Sequence, residues 1–359
     1  MIKKLLIILK KWKKEEILTK NKKIKIHIKN NHGRRGTFPC DLEGEKNFTI
    51  TKEHFEKALE KEPKIKEQIE LFIDWDEDNF DASMQDTEIL LTYDFPTINI
   101  KKIAPNLKWI HCTAAGVEHL SPFSWVFDGL TITNSSGVHA KKAGEYGLMS
   151  VLMLQNHIPK IITNQKNKKF VSLFSNPIAG KNIVLVGTGS LGSSMAKLVA
   201  PLGANIIGVN KKGKPVEGCS KIITIDKIDT VLPDADILYL ALPETQETKN
   251  LIDKKRLNLL KSSCNIINIG RQSALDYDVL CEKLNKQEIA GAILDVFTIE
   301  PIESNSKLWH TPNLVITPHV SSDDNGNYVK MTLDLFVKNL KLFLKNKELE
   351  NQIDKNLGY

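Results

Sequence analysis

The chain has 359 residues, long enough for two domains with substantial cores, and its 41% hydrophobic and 26% charged content is that of an ordinary globular protein. Fifty Lys and Arg against 43 Asp and Glu leave a net charge of +7; this reads as a lysine-rich solvated surface able to steer an anionic ligand, with no nucleic-acid module to gather the charge. Cys40, Cys112, Cys219, Cys264 and Cys281 are scattered, with no C-x-x-C pair or His partner at metal spacing, so no metal site is expected and reduced thiols point to a cytoplasmic protein.

In chain order, KKLLIIL, KKEEILTK and KIKIHIK over residues 1–30 suggest strand, short helix, strand. The apolar run Leu5 to Leu9 is too short for a signal-peptide core, and no run approaches membrane-spanning length. NNHGRRGTFPCDLEGEKN has the content of an exposed loop. TKEHFEKALEKEP opens on a threonine cap at Thr51 and reads helical until Pro63 stops it. Glu70 to Asp74, Glu88 to Thr92 and Leu107 to Cys112 are short strand candidates. Ala140 to Gln155 is the strongest helix. Leu148, Val151, Leu152 and Gln155 share one side, and Gly144 and Gly147 would let another helix approach. It reads as an interdomain helix and candidate subunit contact, with a plain core helix the equal alternative.

NIVLVGTGSLG, Asn182 to Gly192, is the central motif. Ile183 to Val186 have the composition of a strand buried on both faces. Gly187, Gly189 and Gly192 follow in G-x-G-x-x-G spacing, a helix-like segment comes next, and Ile206 to Val209 supply a second strand. One glycine permits the tight turn, one lets backbone approach a pyrophosphate, and one packs helix on strand, with the anion at the helix N-terminus. The cofactor-facing positions are therefore Gly187, Gly189, Ser190, Leu191 and Gly192. IITI, ADILYLAL, CNIINIG, IAGAILDVF and LVIT continue as short apolar strands, which makes a doubly wound parallel sheet. The tail from Asp323 to Lys345 is an amphipathic helix, with Leu333, Phe336, Val337, Leu340 and Leu344 as its stripe, expected to pack on the first domain.

Ligands of open parallel sheets bind beyond the carboxyl ends of the strands. Arg271 follows CNIINIG, Glu300 follows LDVF, and His319 follows LVIT. Arginine grips a carboxylate through its two-pronged donor face. Histidine can lend a proton to a carbonyl oxygen, and a glutamate behind it favours the imidazolium.

From Glu88 to Ser322 the chain resembles the D-isomer-specific 2-hydroxyacid dehydrogenases, with a glyoxylate/hydroxypyruvate reductase-like character. HCTAAGVEHL, TNSSGVHAKKAGEYGL, VGTGSLG, LALPETQETKNLI, NIGRQSALD, GAILDVFTIEPI and TPHVSS carry the resemblance. It implies that Arg271 binds substrate, His319 is the acid/base, and Glu300 its partner. It further implies that backbone at Ala115 and Gly116 receives the substrate carboxylate, that Leu242, Pro243, Thr245 and Ile269 line the cofactor groove, and that Asp295 lies near the nicotinamide amide. Gln272 follows the arginine where the family usually has glycine, and Ser321 stands where glycine or alanine is common. The chain as given shows no further domain after its last helix, which weighs against the long phosphoglycerate dehydrogenases, and Glu300 weighs against formate dehydrogenase.

The expected fold is α/β in two domains. A Rossmann-type doubly wound parallel sheet over residues 134–320 binds the dinucleotide, and a flavodoxin-like substrate domain spans residues 1–133, completed by the C-terminal helix within residues 321–359. Where an NAD-preferring fold places Asp or Glu at the end of the second strand, this chain has Asn210, followed by Lys211 and Lys212. NADP(H) is therefore favoured over NAD(H), the alternative being that these lysines merely belong to the basic surface. The expected activity is reduction of a small 2-keto acid to its D-2-hydroxy acid in a homodimer with no membrane or nucleic-acid partner. The alternative is a dinucleotide-sensing binding protein of the corepressor type without significant turnover.

Overall fold

The computed structural model describes residues 23–34, 39, 41–76 and 78–358; the strand and helix expected within residues 1–22 lie outside the described residues. The chain separates into two compact units, one ending at Ser135 and resuming at Gly326, the other comprising Ser136–Asn325. Each contains one sheet, and all of the pairings within it are parallel.

In the first unit β1 (Ile24–Asn30), β2 (Ile69–Trp75), β3 (Ile89–Thr92), β4 (Trp109–Cys112) and β5 (Thr131–Asn134) lie in the order β2-β1-β3-β4-β5. Successive side chains point to opposite faces of a strand, and both faces here are covered. Ile89, Leu91 and Trp109 join one apolar cluster with Leu333, Phe336 and Leu340 of the helix Tyr328–Phe343. Leu90, Ile110 and Cys112 join another with Phe80, Met84 and Ile100. Phe336 stacks on Trp109 with centroids 4.8 Å apart and planes 12° from parallel. Leu344, assigned to the apolar stripe, is the helix's C-cap and only partly buried. The helix begins at Tyr328 rather than Asp323.

Two local readings are corrected. Leu42–Phe48 is helix, not loop, because the Asp41 carboxylate accepts from Gly44 N and caps it at 2.8 Å. Pro63 does not simply stop the preceding helix, which already ends at Ala58; it opens the next short one, Pro63–Lys66. Strand β5 was not anticipated. Its Thr133 is wholly buried and its hydroxyl accepts from Trp109 Nε1 at 2.8 Å. That hydroxyl can then donate to His111 Nδ1, 2.7 Å away. Burial lowers His111 to about 3, in keeping with a neutral ring that accepts there.

In the second unit β6 (Asn182–Val186), β7 (Asn205–Asn210), β8 (Lys221–Thr224), β9 (Ile237–Leu240), β10 (Asn265–Asn268), β11 (Gly291–Leu294) and β12 (Leu314–Ile316) lie in the order β12-β11-β10-β9-β6-β7-β8. Ile183, Leu185, Ile237, Tyr239 and Ile267 face one cluster, and Val184, Val186, Leu238, Leu240 and Ile266 the other. Such continuous apolar runs are what burial on both faces requires. The helix Ala140–Gln155 forms as expected, but its buried residues include Ala143, Gly144, Gly147, Val151 and Leu154, while Leu152 is 36% exposed. Small residues decide this: a Cβ on Gly144 or Gly147 would lie 2.4 Å from Ser194 Oγ or 2.6 Å from Met195 Cγ of the helix Ser190–Val199. A second helix, Ile158–Lys166, follows where none was expected. Among the described residues no helix is long and apolar enough to cross a membrane.

Candidate active site

Register aligns the groups of interest. Val209, Val186, Leu240, Asn268, Leu294 and Ile316 are successive partners across the second sheet. The next residue on each strand is Asn210, Gly187, Ala241, Ile269, Asp295 or Thr317, so the site residues of this unit emerge along one edge.

The turn after β6 meets each requirement of a phosphate cradle. Gly187 has φ +94°, and a Cβ there would lie 2.4 Å from Ala241 O. A Cβ on Gly192 would lie 2.1 Å from Gly187 O, so the helix touches the turn after β6 backbone to backbone. A Cβ on Gly189 meets nothing within 4 Å: that glycine keeps space clear where a ligand would approach. Gly189 caps the helix Ser190–Val199 without a side-chain bond, leaving the first-turn amides near Ser190 and Leu191 for an anion. The residues fit a dinucleotide.

The other groove positions divide. Leu242 and Ile269 are 8% and 3% exposed, their side chains in the core, so they offer backbone only. Pro243 and Thr245 lie at the surface of a braced turn, where Thr248 Oγ1 donates to Pro243 O at 2.7 Å and accepts from Thr245 N at 2.9 Å. Asn210 Nδ2 donates to Thr188 Oγ1 and Lys214 O, both at 3.0 Å, and its Oδ1 accepts from Lys212 N. Lys211 is ion-paired with Glu247 at 2.8 Å.

The three ionisable residues come together on this unit. His319 Nδ1 lies 2.8 Å from Glu300 Oε2, and Glu300 Oε1 accepts from Phe297 N at 2.7 Å. Burial opposes the Glu300 charge, but the His319 bond and charge, the Phe297 N–H and Arg271 outweigh it, holding the carboxyl below its usual value. Burial likewise opposes the His319 charge; the Glu300 bond and charge outweigh it, with Arg271 opposing and Asp295 adding, and the imidazole is raised. The pair's contribution to stability is therefore lost as pH falls through the lowered Glu300 pKa or rises through the raised His319 pKa. Arg271 follows Asn268, which is wholly buried and fixes the turn: its Nδ2 donates to Arg271 O and Tyr277 Oη at 3.1 Å, and its Oδ1 accepts from Gly270 N.

Sequence reasoning missed what supports these groups. Asp295 is wholly buried, and its carboxylate accepts from Thr317 Oγ1 at 2.5 Å, Val320 N at 3.0 Å and Ser321 N at 2.9 Å. Since Thr317 donates to Asp295, it accepts from Tyr146 Oη, 2.7 Å away, whose hydroxyl burial pushes up to about 12. These bonds enclose His319, whose φ of +54° is costly for a residue other than glycine and persists only where the surroundings fix it. Thr317 lies in the TPHVSS motif, the one signal that could have flagged it. The two departures from the family pattern differ: Gln272 is half-buried and its Oε1 accepts from Thr298 N at 2.6 Å in an exposed bond, whereas Ser321 is 1% exposed. Asp323, also not anticipated, has its carboxyl pushed up to about 6 by burial, with His319 opposing and Asp295 adding.

In the first unit, Ala115 and Gly116 follow β4, and Ala115 O accepts from Asn134 Nδ2 at 2.5 Å. Among the described residues their backbone N–H groups meet no acceptor.

The sequence profile of the D-isomer specific 2-hydroxyacid dehydrogenase NAD binding domain matches residues 148–321. A glyoxylate reductase from Thermofilum pendens is 31% identical over 268 residues, which cover 73% of this chain and 79% of that protein. The chain belongs to the D-isomer specific 2-hydroxyacid dehydrogenase family. It is an oxidoreductase of that family with an NAD(P)-binding domain. The fold agrees: a D-isomer specific 2-hydroxyacid dehydrogenase from Xanthobacter autotrophicus Py2, crystallised with NADPH and MES, superimposes with a TM-score of 0.77 at 22% identity, covering 94% of this chain and 100% of that one. An NADPH-dependent glyoxylate/hydroxypyruvate reductase from Sinorhizobium meliloti, in complex with NADP and sulfate, gives 0.73 at 22% identity, covering 93% of this chain and 100% of that one.

For this dehydrogenase, Asp295→Asn removes the charge that both backbone amides share and turns an N–H group either towards Ser321 N or towards Thr317 Oγ1 and Val320 N. Hydrogen exchange at the Val320 and Ser321 amides should accelerate roughly 10- to 100-fold, the loss expected for a broken buried charge-assisted bond. Unchanged protection would mean that the carboxylate does not hold the loop.

Proposed function

We propose that the protein reduces a small 2-keto acid of the glyoxylate or hydroxypyruvate type to the D-2-hydroxy acid. The observation that carries this is the 2.8 Å His319–Glu300 pair at the strand ends beside Arg271. We read the seven-stranded unit, expected over residues 134–320, as a Rossmann-type dinucleotide domain. We read the five-stranded unit as a flavodoxin-like substrate domain, formed by residues 1–133 and completed within residues 321–359; its order β2-β1-β3-β4-β5 supports this.

A bound reduced nicotinamide would supply the hydride. The Arg271 guanidinium grips the substrate carboxylate and polarises the keto oxygen. Protonated His319 gives its proton to that oxygen as the carbon is reduced, and Glu300 keeps the imidazole charged and oriented until then. The backbone N–H groups of Ala115 and Gly116 are the right donors for a carboxylate. Asp295 serves the His319 loop, so any contact it makes to the nicotinamide amide would be additional to three bonds already formed.

NADP(H) is the favoured coenzyme. The residue at the end of β7 is Asn210 rather than an acid that would bond a free 2′-hydroxyl, its amide is committed to Thr188 and Lys214, and Lys211 and Lys212 supply the cations for a 2′-phosphate. The assembly is read as a cytoplasmic homodimer; Phe170 and Phe174, fully or almost fully exposed after the helix Ile158–Lys166, supply apolar surface for a second copy. A solution mass corresponding to one 40.4 kDa chain would exclude it.

A panel of small 2-keto acids, followed at the nicotinamide absorbance, should show turnover, and His319→Gln should reduce kcat about 10²- to 10⁴-fold while leaving coenzyme binding intact. Absence of turnover with every acid would favour a sensing protein. NADPH should give the higher kcat/KM, and Asn210→Asp should reverse that order; equal efficiency in the unaltered protein would remove the coenzyme assignment.

A further inference from the structure

We propose that Glu247 is a coenzyme-selecting residue, acting by competing with a 2′-phosphate for Lys211. The inference rests on the reading that Asn210, Lys211 and Lys212 receive that phosphate. Lys211 Nζ lies 2.8 Å from both carboxylate oxygens of Glu247. Lys211 follows β7 and Glu247 belongs to the turn after β9, and in the sheet those two strands flank β6. The ion pair therefore spans the carboxyl end of β6, from which the Gly187–Gly192 cradle emerges. The Glu247 end is not a loose side chain on a loose loop, because Lys249 N donates to Thr245 O at 3.0 Å and Thr248 ties Pro243 to Thr245.

Both side chains are more than half exposed, 52% for Lys211 and 62% for Glu247, so the bond is open to exchange with an arriving anion. Such a pair contributes little to stability. Its consequence is for binding. A 2′-phosphate must take Lys211 from a carboxylate and then sit near that carboxylate's negative charge; a 2′-hydroxyl meets neither demand. Glu244, the other acid of this turn, is engaged elsewhere, accepting from Ser273 Oγ at 2.8 Å. Glu247 thus moderates the preference that the lysines create, and it does so for the phosphorylated coenzyme alone.

The test is the dissociation constant of NADPH and of NADH, titrated by nicotinamide fluorescence into the unaltered protein, Glu247→Gln, Lys211→Ala and the double variant. Glu247→Gln should tighten NADPH roughly two- to fivefold, the range of a surface ion pair, and leave NADH unchanged. The gain should shrink as ionic strength rises above about 0.15 M and be smaller in the Lys211→Ala background, where only the carboxylate's direct repulsion of the phosphate is left to relieve. Equal tightening of both coenzymes, no tightening of either, or the same gain without Lys211 would overturn the proposal. An unaltered protein that prefers NADH, with NADPH affinity indifferent to Lys211→Ala, would overturn the coenzyme reading and this inference together. Preference for NADPH that falls in Lys211→Ala but does not respond to Glu247→Gln would overturn this inference alone.

Discussion

Parallel register across the seven-stranded sheet is the constraint on which the rest depends. It brings the last residues of five strands, and the last but one of β7, into one row, so that residues distant in sequence begin their loops side by side. A slip of one residue on β11 would turn Asp295 to the opposite face and deprive Thr317, Val320 and Ser321 of their acceptor. The apolar alternation into two separate clusters makes such a slip costly, since every buried side chain on the strand would move with it.

On that edge, two carboxylates do different work because their surroundings differ. Asp295 is wholly buried and spends its charge on a hydroxyl and two backbone amides. Glu300 is partly open and spends its charge on one amide and one imidazole. The first fixes a backbone conformation that histidine adopts reluctantly; the second raises that histidine's affinity for a proton. Position and protonation of one side chain are thus set by separate acids.

The glycine turn, the strands of the second sheet and the three ionisable residues were legible in sequence because each depends on a local pattern. Failures came where the deciding partner is remote. TITN has three polar residues out of four and does not stand out as a buried strand, yet Thr133 is buried because Trp109 and His111 bind its hydroxyl. The helix Leu42–Phe48 hides in a charged, glycine-containing stretch and shows itself only through the Asp41 cap. On Ala140–Gln155 the glycines read from sequence, Gly144 and Gly147, do make the helix contact, while the large apolar residues divide, Val151 being buried and Leu152 36% exposed. The roles of Tyr146 and Thr317 depend on a bond spanning 171 positions, which no spacing rule reaches.

The central claim is that Glu300 sets the pH at which His319 can deliver a proton. Its most direct test is the pH dependence of kcat/KM for keto-acid reduction in the unaltered enzyme and in Glu300→Gln. On the proposed reading reduction needs the imidazolium, and the unaltered His319 is raised above 6.5, so activity should fade on the alkaline side of that value. Removing the carboxylate should move the limb to lower pH. A limb that stays in place or moves upward would contradict the account.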